Sequence, residues 1–331
     1  MKKPLIFTIS SLLVILLLLV GVSGCANRST PTPETPTSTS TPEVPPTATL
    51  APARIVLFDS AAQAGAAVTT QLSDFAAANS LAFETWGSLT GDLSGVKIMV
   101  VFSGLDNLAE VAASTPQTQF ITTAQNTAGA ANISTLTVNP LHLAFMAGYI
   151  SAMTSEDWRA GALISDPVNM GLADAFTNGG NYLCGRCTQA YPPQNIYYPV
   201  TYSTNGANDA AAWAATAQTM WSETFANSVY IDTAADFAEV LDVYADKVIY
   251  SSNSASANLA RYTAILGGDI LSTLQTALPE LLAGTGGKTY NARVGLLLIN
   301  NPLVVTEAKQ ARFYEVAEDL ANNLINPQSV P

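Results

Sequence analysis

The chain has 331 residues, of which 48% are hydrophobic and 11% are charged, and this is enough apolar material for a sizeable core. The formal net charge of −12 excludes nucleic acid and anionic lipid headgroups as partners selected by charge, because an acidic surface repels both. His142 is the single histidine, which argues against a histidine-based metal site or catalytic triad. We therefore expect no metal and no cofactor.

The N-terminus has the pattern of a secretory signal peptide, predicted over residues 1–24. Lys2 and Lys3 give it a positive start, and a long apolar stretch follows them. The stretch closes with "VSGC", which resembles a bacterial lipobox and makes Cys25 the predicted lipidation site. Two or more acyl chains would anchor the protein stably to a membrane. The alternative is an uncleaved transmembrane anchor, since the apolar stretch is nearly long enough to span a bilayer.

The next segment, residues 25–53, is predicted to be an extended tether. It is rich in Pro, Thr and Ser, and a segment of this composition cannot bury a core. Whether it carries O-linked sugars stays open. The folded part is expected to begin near Arg54 and to stand outside the cytoplasm, anchored to the cell membrane by the N-terminal lipid.

From Arg54 onward, short apolar runs alternate with amphipathic or Ala-rich segments, which indicates alternating strands and helices. The predicted strands cover 54–58, 96–102, 118–123, 132–138, 160–165, 196–202, 228–232, 247–251 and 292–300. The predicted helices cover 61–79, 105–114, 141–154, 210–225, 234–244, 269–284 and 306–324. This alternation predicts an α/β fold with mostly parallel sheets and helices on both faces.

The helix predicted over 141–154 contains "FMAGYISAM". Its small residues Ala144, Gly148 and Ala152 lie on one face, where they allow a close approach to a sheet. Phe145 and Tyr149 are also four residues apart and are expected to fill a neighbouring core. Core packing explains this helix, and we assign it no ligand contact.

Cys184 and Cys187 form the short motif "CGRC". A zinc site would need two further ligands, which the folded part does not supply. Outside the cytoplasm the motif indicates a local disulfide in a loop. A thioredoxin-like redox motif is the alternative, but that motif normally opens a helix, whereas Pro192 and Pro193 follow here.

Two stretches that occur in this order, "VVFSGLDNLAEVAASTPQTQFI" and "NISTLTVNPLHLAFMAGYISAMTSEDWRAGALIS", resemble the basic membrane protein family. Members of that family are substrate-binding lipoproteins of ABC importers, and the best-known branch binds purine nucleosides. The resemblance implies a two-lobed type 1 periplasmic-binding-protein fold, in which crossing strands join two α/β lobes around the ligand. The first lobe is then expected to comprise 54–157 and about 254–290, and the second 158–253 and about 291–326.

In such a fold the residues that directly follow the strands are the candidates for ligand binding. These residues are Asp59, Ser60, Phe102, Ser103, Asn139, Ser165, Asp166, Asp232, Ser251 and Ser252. Their hydroxyl, amide and carboxylate groups can bond sugar hydroxyls or base edges, and aromatic rings such as Phe102 or Trp86 can stack on either. Each polar candidate has an equally good alternative role as a helix N-cap.

Two loops depart from the nucleoside-binding branch of the family. That branch has an Asp-Lys-Ser-Phe-Asn type loop after its first strand, where this chain has "DSAAQAGAAVTTQL", so that Asp59 is the position that carries over. It also has a Gly-rich loop where this chain has "DTAADFAEV". The ligand is therefore expected to differ from that of the branch.

The main hypothesis is a lipid-anchored substrate-binding protein that clamps a small polar solute, nucleoside-like or sugar-like, and delivers it to an ABC permease. The alternative is a membrane-anchored surface sensor or interaction protein that keeps the fold without transport. A surface hydrolase is a third hypothesis, but the carboxylates are scattered along helices, and the sequence has no nucleophile elbow, phosphate loop or metal-ligand spacing. We expect no enzymatic activity.

Overall fold

The computed structural model describes residues 51–62, 64–89, 91–102, 105–123, 130–166, 170–188, 196–204 and 209–329. The predicted signal peptide, the lipidation site Cys25 and residues 25–50 of the predicted tether lie outside these ranges. Within them, no helix is both long enough and apolar enough to cross a membrane.

Strands and helices alternate along most of the described chain and are numbered here in chain order. The strands are β1 (Arg54–Phe58), β2 (Ala82–Trp86), β3 (Val96–Val101), β4 (Gln119–Thr122), β5 (Ile133–Val138), β6 (Ala160–Leu163), β7 (Cys187–Thr188), β8 (Tyr197–Tyr198), β9 (Val200–Tyr202), β10 (Ser228–Ile231), β11 (Val248–Ser251), β12 (Ala264–Gly268), β13 (Thr289–Ala292) and β14 (Val294–Ile299). The helices are α1 (Gly65–Ala78), α2 (Leu108–Ser114), α3 (Pro140–Thr154), α4 (Leu172–Cys184), α5 (Ala210–Thr224), α6 (Ala238–Val243), α7 (Ile270–Leu282) and α8 (Glu307–Ala321).

Two six-stranded sheets organise these elements. Sheet A has the strand order β13-β5-β4-β3-β1-β2 and is parallel throughout. Sheet B has the order β14-β12-β11-β10-β6-β9 and is parallel except for the antiparallel pair of β12 and β14. The predicted α/β class, with mostly parallel sheets flanked by helices, is confirmed.

Helices cover both faces of each sheet, so alternate residues of a strand such as β1 are buried in two different cores. Ile55 and Leu57 join a core with α1 and α7, whereas Val56 and Phe58 join a second core with α2. Sheet B lies in the same way between a core with α3, α4 and α8 and a core with α5 and α6. A strand buried on both faces has an unbroken apolar run, which is why β1 is recognisable from its sequence.

The described chain passes between the sheets three times, each time at the carboxyl ends of parallel strands. β5 of sheet A leads into α3, which packs on sheet B, and β12 of sheet B leads into α7, which packs on sheet A. The third passage runs from β13 of sheet A to β14 of sheet B. The passages meet at Gly268, because a Cβ there would lie 3.1 Å from the Cβ of Ala292 and 3.5 Å from the Cβ of Val138.

Arg293, between β13 and β14, ties two of these passages together. Its carbonyl oxygen accepts a hydrogen bond from the backbone N–H of Asp269 at 2.7 Å, and its guanidinium pairs with the Asp269 carboxylate at 2.6 Å. The same guanidinium reaches Glu318 of α8 at 3.3 Å and lies 5.1 Å from the ring centre of Tyr314. The crossing point is therefore held by side chains as well as by the backbone.

Two segments expected in the first lobe pack with sheet B, which differs from the lobe boundaries expected from the sequence. α3 packs on sheet B and β12 is a strand of sheet B, although both fall in ranges expected for the first lobe. The physical reason is that the first passage comes directly after β5, before α3, and that β12 pairs with β11 and β14. The other lobe boundaries stay predictions.

Some elements differ from those predicted because their local patterns are weak. The edge strand β2, "AFETW", is only half-buried, and α4 contains two adjacent glycines, which lower its helix propensity. β12 and β13 were also missed. The strand predicted over 196–202 is interrupted at Pro199, and the one predicted over 292–300 is interrupted at Arg293, where the chain changes sheets.

The small face of α3 packs against α4. A Cβ on Gly148 would lie 1.9 Å from the carbonyl oxygen of Phe176, and a Cβ on Gly179 would lie 1.8 Å from the carbonyl oxygen of Phe145. The prediction of a sheet as the neighbour of this face was wrong, because the two helices meet backbone to backbone. Phe145 and Tyr149 are buried in the core, as predicted.

Cys184 and Cys187 are joined by a disulfide at the C-terminal end of α4. Gly185 between them has a positive φ of 66°, which a residue without a Cβ adopts readily. Cys187 also begins β7, which pairs with β8. The disulfide thus closes a turn that joins α4 to a short hairpin.

We expect Gly148→Ala to lower the free energy of unfolding by about 2 kcal/mol or more, because the added methyl group would overlap a backbone carbonyl. Helix propensity alone would make the alanine variant more stable by about 1 kcal/mol. The close contact is expected to make it less stable instead. Urea unfolding measures the change. Gly87→Ala is the control, since no atom lies within 4 Å of a Cβ there. An alanine variant at 148 as stable as the wild type would contradict the backbone contact.

Candidate functional site

The candidate site lies at the carboxyl edges of the two sheets, where the three passages leave them. On sheet A, Asp59 follows β1 and Phe102 follows β3, and the two segments are adjacent because the N–H of Phe102 donates to the carbonyl of Phe58 at 3.0 Å. The Asp59 carboxylate accepts from the N–H of Ala64 at 2.8 Å and so closes the turn before α1. Phe102 is half-buried against the core of sheet A, Ser60 is exposed, and the candidate Ser103 lies outside the described residues.

Two further candidates accept hydrogen bonds from backbone N–H groups at the starts of helices. Asn139 accepts a hydrogen bond from the N–H of Leu141 at 2.9 Å and caps α3. The Asp166 carboxylate accepts from the three N–H groups of residues 170–172, at 2.7, 2.8 and 3.1 Å, ahead of α4. Burial acts to raise the pKa of Asp166, but these three bonds outweigh it and hold the pKa below its usual value. The capping role that the sequence left open is therefore present at both positions.

Asp232 joins the ends of β10 and β6 on sheet B. One carboxylate oxygen accepts from the N–H of Thr233 at 2.7 Å, and the other accepts from the N–H of Ser165 at 3.2 Å. Burial raises the pKa of Asp232 above its usual value, and the two backbone bonds offset only part of that effect. The site therefore holds a partly desolvated carboxylate that further hydrogen-bond donors from a ligand would stabilise.

The two serines after β11 differ in accessibility. Ser251 is fully buried, and its hydroxyl donates to the carbonyl of Ile231 at 2.7 Å and accepts from the N–H of Asn253 at 3.2 Å. Ser252 is half-buried, with its hydroxyl 2.8 Å from that of Tyr230. Ser251 thus links β11 to β10, whereas Ser252 remains accessible at the edge.

A side-chain network that was not predicted supports this edge. The Asp236 carboxylate accepts from the hydroxyl of Tyr262 at 2.5 Å and from the amide of Asn253 at 2.7 Å. Burial and the neighbouring carboxylate both raise the pKa of Tyr262. The network ties the loop after β11 to the loop after β10. No local pattern indicates it, because the residues come from three separate segments.

Trp86, named as a candidate stacking ring, lies beside a cavity of about 390 Å³ at the β2 edge of sheet A. Its ring lies 5.8 Å from the guanidinium of Arg54, and its indole N–H donates to Glu84 at 2.8 Å. A Cβ on Gly91 would lie 2.6 Å from the same ring. The position of the Trp86 ring is thus fixed by its contacts with Arg54, Glu84 and Gly91.

Among the described side chains, no group of three or more His, Cys, Asp or Glu residues is placed to hold a metal ion. The carboxyl edges instead present hydroxyl, amide and carboxylate groups together with the aromatic ring of Phe102. Hydroxyls both donate and accept hydrogen bonds, so a polyhydroxylated or amide-bearing solute matches these groups.

Comparison with solved structures shows that this architecture is the two-lobed fold of periplasmic binding proteins. An ABC transporter solute-binding protein from Conexibacter woesei is 18% identical, with a TM-score of 0.55 over 84% of this chain and 98% of that one. AraP, an arabinose-binding protein from Geobacillus stearothermophilus, is 14% identical, with a TM-score of 0.50 over 76% of this chain and 98% of that one.

The same fold occurs in a protein with another role. A transcriptional activator of the comK gene from Bacillus halodurans is 12% identical, with a TM-score of 0.53 over 84% of this chain and all (100%) of that one. Neither the models of protein families nor the curated proteins contain a match to this sequence. The comparisons therefore establish the fold, and the function has to be inferred from the residues of the candidate site.

The raised pKa of Asp232 predicts a specific pH dependence of stability. Because the folded state binds this proton more tightly than the unfolded chain, the contribution of Asp232 to the free energy of unfolding is largest below its ordinary pKa of 3.8 and is lost as the pH rises through its raised value. The stability of the wild type minus that of Asp232→Asn should therefore fall as the pH rises through this window.

Urea unfolding of both proteins over a pH series measures this difference. Asp166→Asn is the control, and its pH dependence should have the opposite sign. Because the pKa of Asp166 is lowered, the stability of the wild type minus that of Asp166→Asn should grow as the pH rises. If the Asp232 difference also grew with pH, the site would favour the ionised carboxylate, and our account of Asp232 would be wrong.

Proposed function

We propose that this chain is an extracytoplasmic solute-binding protein that is anchored to the membrane through Cys25 and serves an ABC importer. One observation carries the proposal. The three passages leave both sheets at their carboxyl ends, and the polar candidates of both sheets follow strands at that same end. In open parallel sheets this edge is where ligands bind, and two lobes joined by short segments can close on a solute.

The ligand class follows from the side chains at this edge. Asp232, Ser252 and Ser60 supply carboxylate and hydroxyl groups, and Phe102 supplies an aromatic ring at the end of β3. A small polar solute with several hydroxyls, either sugar-like or nucleoside-like, fits both kinds of contact. AraP, of the same fold, is an arabinose-binding protein. Membership of the basic membrane protein family is part of this proposal and rests on the two sequence stretches that resemble that family.

A membrane-anchored sensor or interaction protein is the second candidate, and one observation favours it. Asp59, Asn139 and Asp166 all accept hydrogen bonds from backbone N–H groups at helix starts. Acceptors engaged in this way have less capacity left for a ligand. The activator from Bacillus halodurans shows that the fold also occurs outside transport.

Thermal unfolding of the whole chain against nucleosides, bases and sugars tests the proposal. A ligand that binds only the folded state adds about 2.7 kcal/mol of stability at a hundred times its dissociation constant. We expect one compound class to raise the melting temperature, and we expect Phe102→Leu to reduce that rise, since it keeps an apolar side chain but removes the stacking surface.

Phe83→Leu is the matched control, because Phe83 is half-buried against the same core but lies on the edge strand β2. It should leave the ligand-induced rise unchanged. If no compound class raised the melting temperature, the solute-binding proposal would be contradicted and the sensor candidate favoured.

A further inference from the structure

A second cavity lies at the opposite edge of sheet B, at the amino ends of β6, β10 and β11. Its volume is about 430 Å³, within the range of small-molecule sites. We call it the amino-end pocket. Side chains with polar or aromatic chemistry line it, among them Glu156, Arg159, Trp221, Phe225, Asp246 and Lys247. It belongs to a different face of the lobe from the carboxyl edge.

Left-handed backbone conformations with large side chains occur around this pocket. Phe225, which lines it at the end of α5, has a φ of 53°, in a position where glycine is usual. Asp157 and Trp158, between two lining residues, have φ values of 54° and 63°. Bulky residues rarely adopt this conformation, and when it persists the cause is often a functional constraint. Phe225 is 38% exposed and Trp158 41%, so core burial does not account for either ring.

Asn227 fixes the two loops that carry these residues. Its side chain accepts from the N–H of Glu156 at 3.2 Å and donates to the carbonyl of the same residue at 3.2 Å. Its backbone N–H donates to the carbonyl of Arg159 at 2.9 Å, and its carbonyl accepts from the N–H of Val248 at 3.1 Å. The pocket is therefore shaped before any ligand arrives, which lowers the entropy lost on binding.

The lining combines aromatic rings with positively and negatively charged side chains. Trp221 and Phe225 are in edge contact, with ring centres 5.9 Å apart, and the Lys247 ammonium lies 4.8 Å from the Trp221 ring centre. The buried Nε of Arg159 has no hydrogen-bond partner among the described residues, and its guanidinium reaches Asp157 only at 3.4 Å. The lining carries cations and carboxylates, and Lys247 is paired with Asp246 at 2.9 Å, so a single charge on a ligand would meet repulsion as well as attraction.

We propose that the amino-end pocket binds a neutral saccharide, with the sugar ring against Phe225 and Trp221 and its hydroxyls bonded to Arg159 and the neighbouring carboxylates. A hydroxyl can donate to a carboxylate and accept from a guanidinium, so it suits a mixed lining better than an ion does. The flat C–H face of a sugar ring packs on an aromatic ring. The saccharide could be free in solution or part of an insoluble polymer.

The test uses Phe225→Gly in the whole chain. Glycine adopts the left-handed conformation without strain, which offsets the lost contact with Trp221, so the variant should remain folded while the aromatic surface is lost. The probes are cellobiose, maltose and diacetylchitobiose, followed by tryptophan fluorescence and calorimetry, and insoluble cellulose and chitin in a sedimentation assay. We expect Phe225→Gly to weaken binding about tenfold or more.

Asn323→Gly is the matched control, because Asn323 has a φ of 58° at the end of α8 and does not line the pocket. It should bind as the wild type does. Binding of a disaccharide that Phe225→Gly weakens supports the proposal and identifies a free sugar, whereas equally sensitive binding to a polymer alone supports it and identifies a surface glycan.

Two results would overturn the proposal. One is that no probe binds the wild type. The other is that a sugar binds Phe225→Gly and the wild type equally well. In that second case, loss of binding in Phe102→Leu would place the sugar at the carboxyl edge, so the proposed function would stand while the amino-end pocket failed.

Discussion

The crossing at Gly268 is the constraint on which the rest of the structure depends. Three backbone passages meet there at contact distance, and a side chain at 268 would press on Val138 and Ala292. The paired charges of Arg293 and Asp269 secure the same point from the side. Because every passage leaves its sheet at the carboxyl end, this crossing sets the orientation of both candidate ligand-binding edges. Any movement between the lobes must turn about these short segments.

The polar residues at those edges serve the fold as well as the candidate site. Asp59, Asn139 and Asp166 each satisfy N–H groups at a helix start that would otherwise lack partners. Asp232 differs from them, since burial dominates its environment and favours the protonated carboxyl group. A ligand that donates hydrogen bonds to Asp232 would therefore act against the effect of burial on its pKa, whereas three backbone donors already lower the pKa of Asp166.

The two ends of sheet B have different chemistry. At the carboxyl edge, hydroxyl, amide and carboxylate groups form a connected network through Asp236 and Tyr262. At the amino edge, Phe225, in a left-handed conformation, lines the same pocket as Arg159, whose buried Nε has no hydrogen-bond partner among the described residues.

The sequence by itself determined the buried strands and offered helix capping as one of two roles for the polar residues that follow them. β1, β3, β10 and β11 are rich in apolar residues because helices cover both faces, and Asn139 before Pro140 marks a helix start through a bond two residues away. Only the tertiary structure decided that α3 belongs with sheet B, that a strand breaks at Arg293, that Asp236 meets Tyr262, and that Lys247 meets Trp221. Burial and local hydrogen bonds leave short-range patterns in a sequence, whereas these contacts join segments that are distant along the chain and leave none.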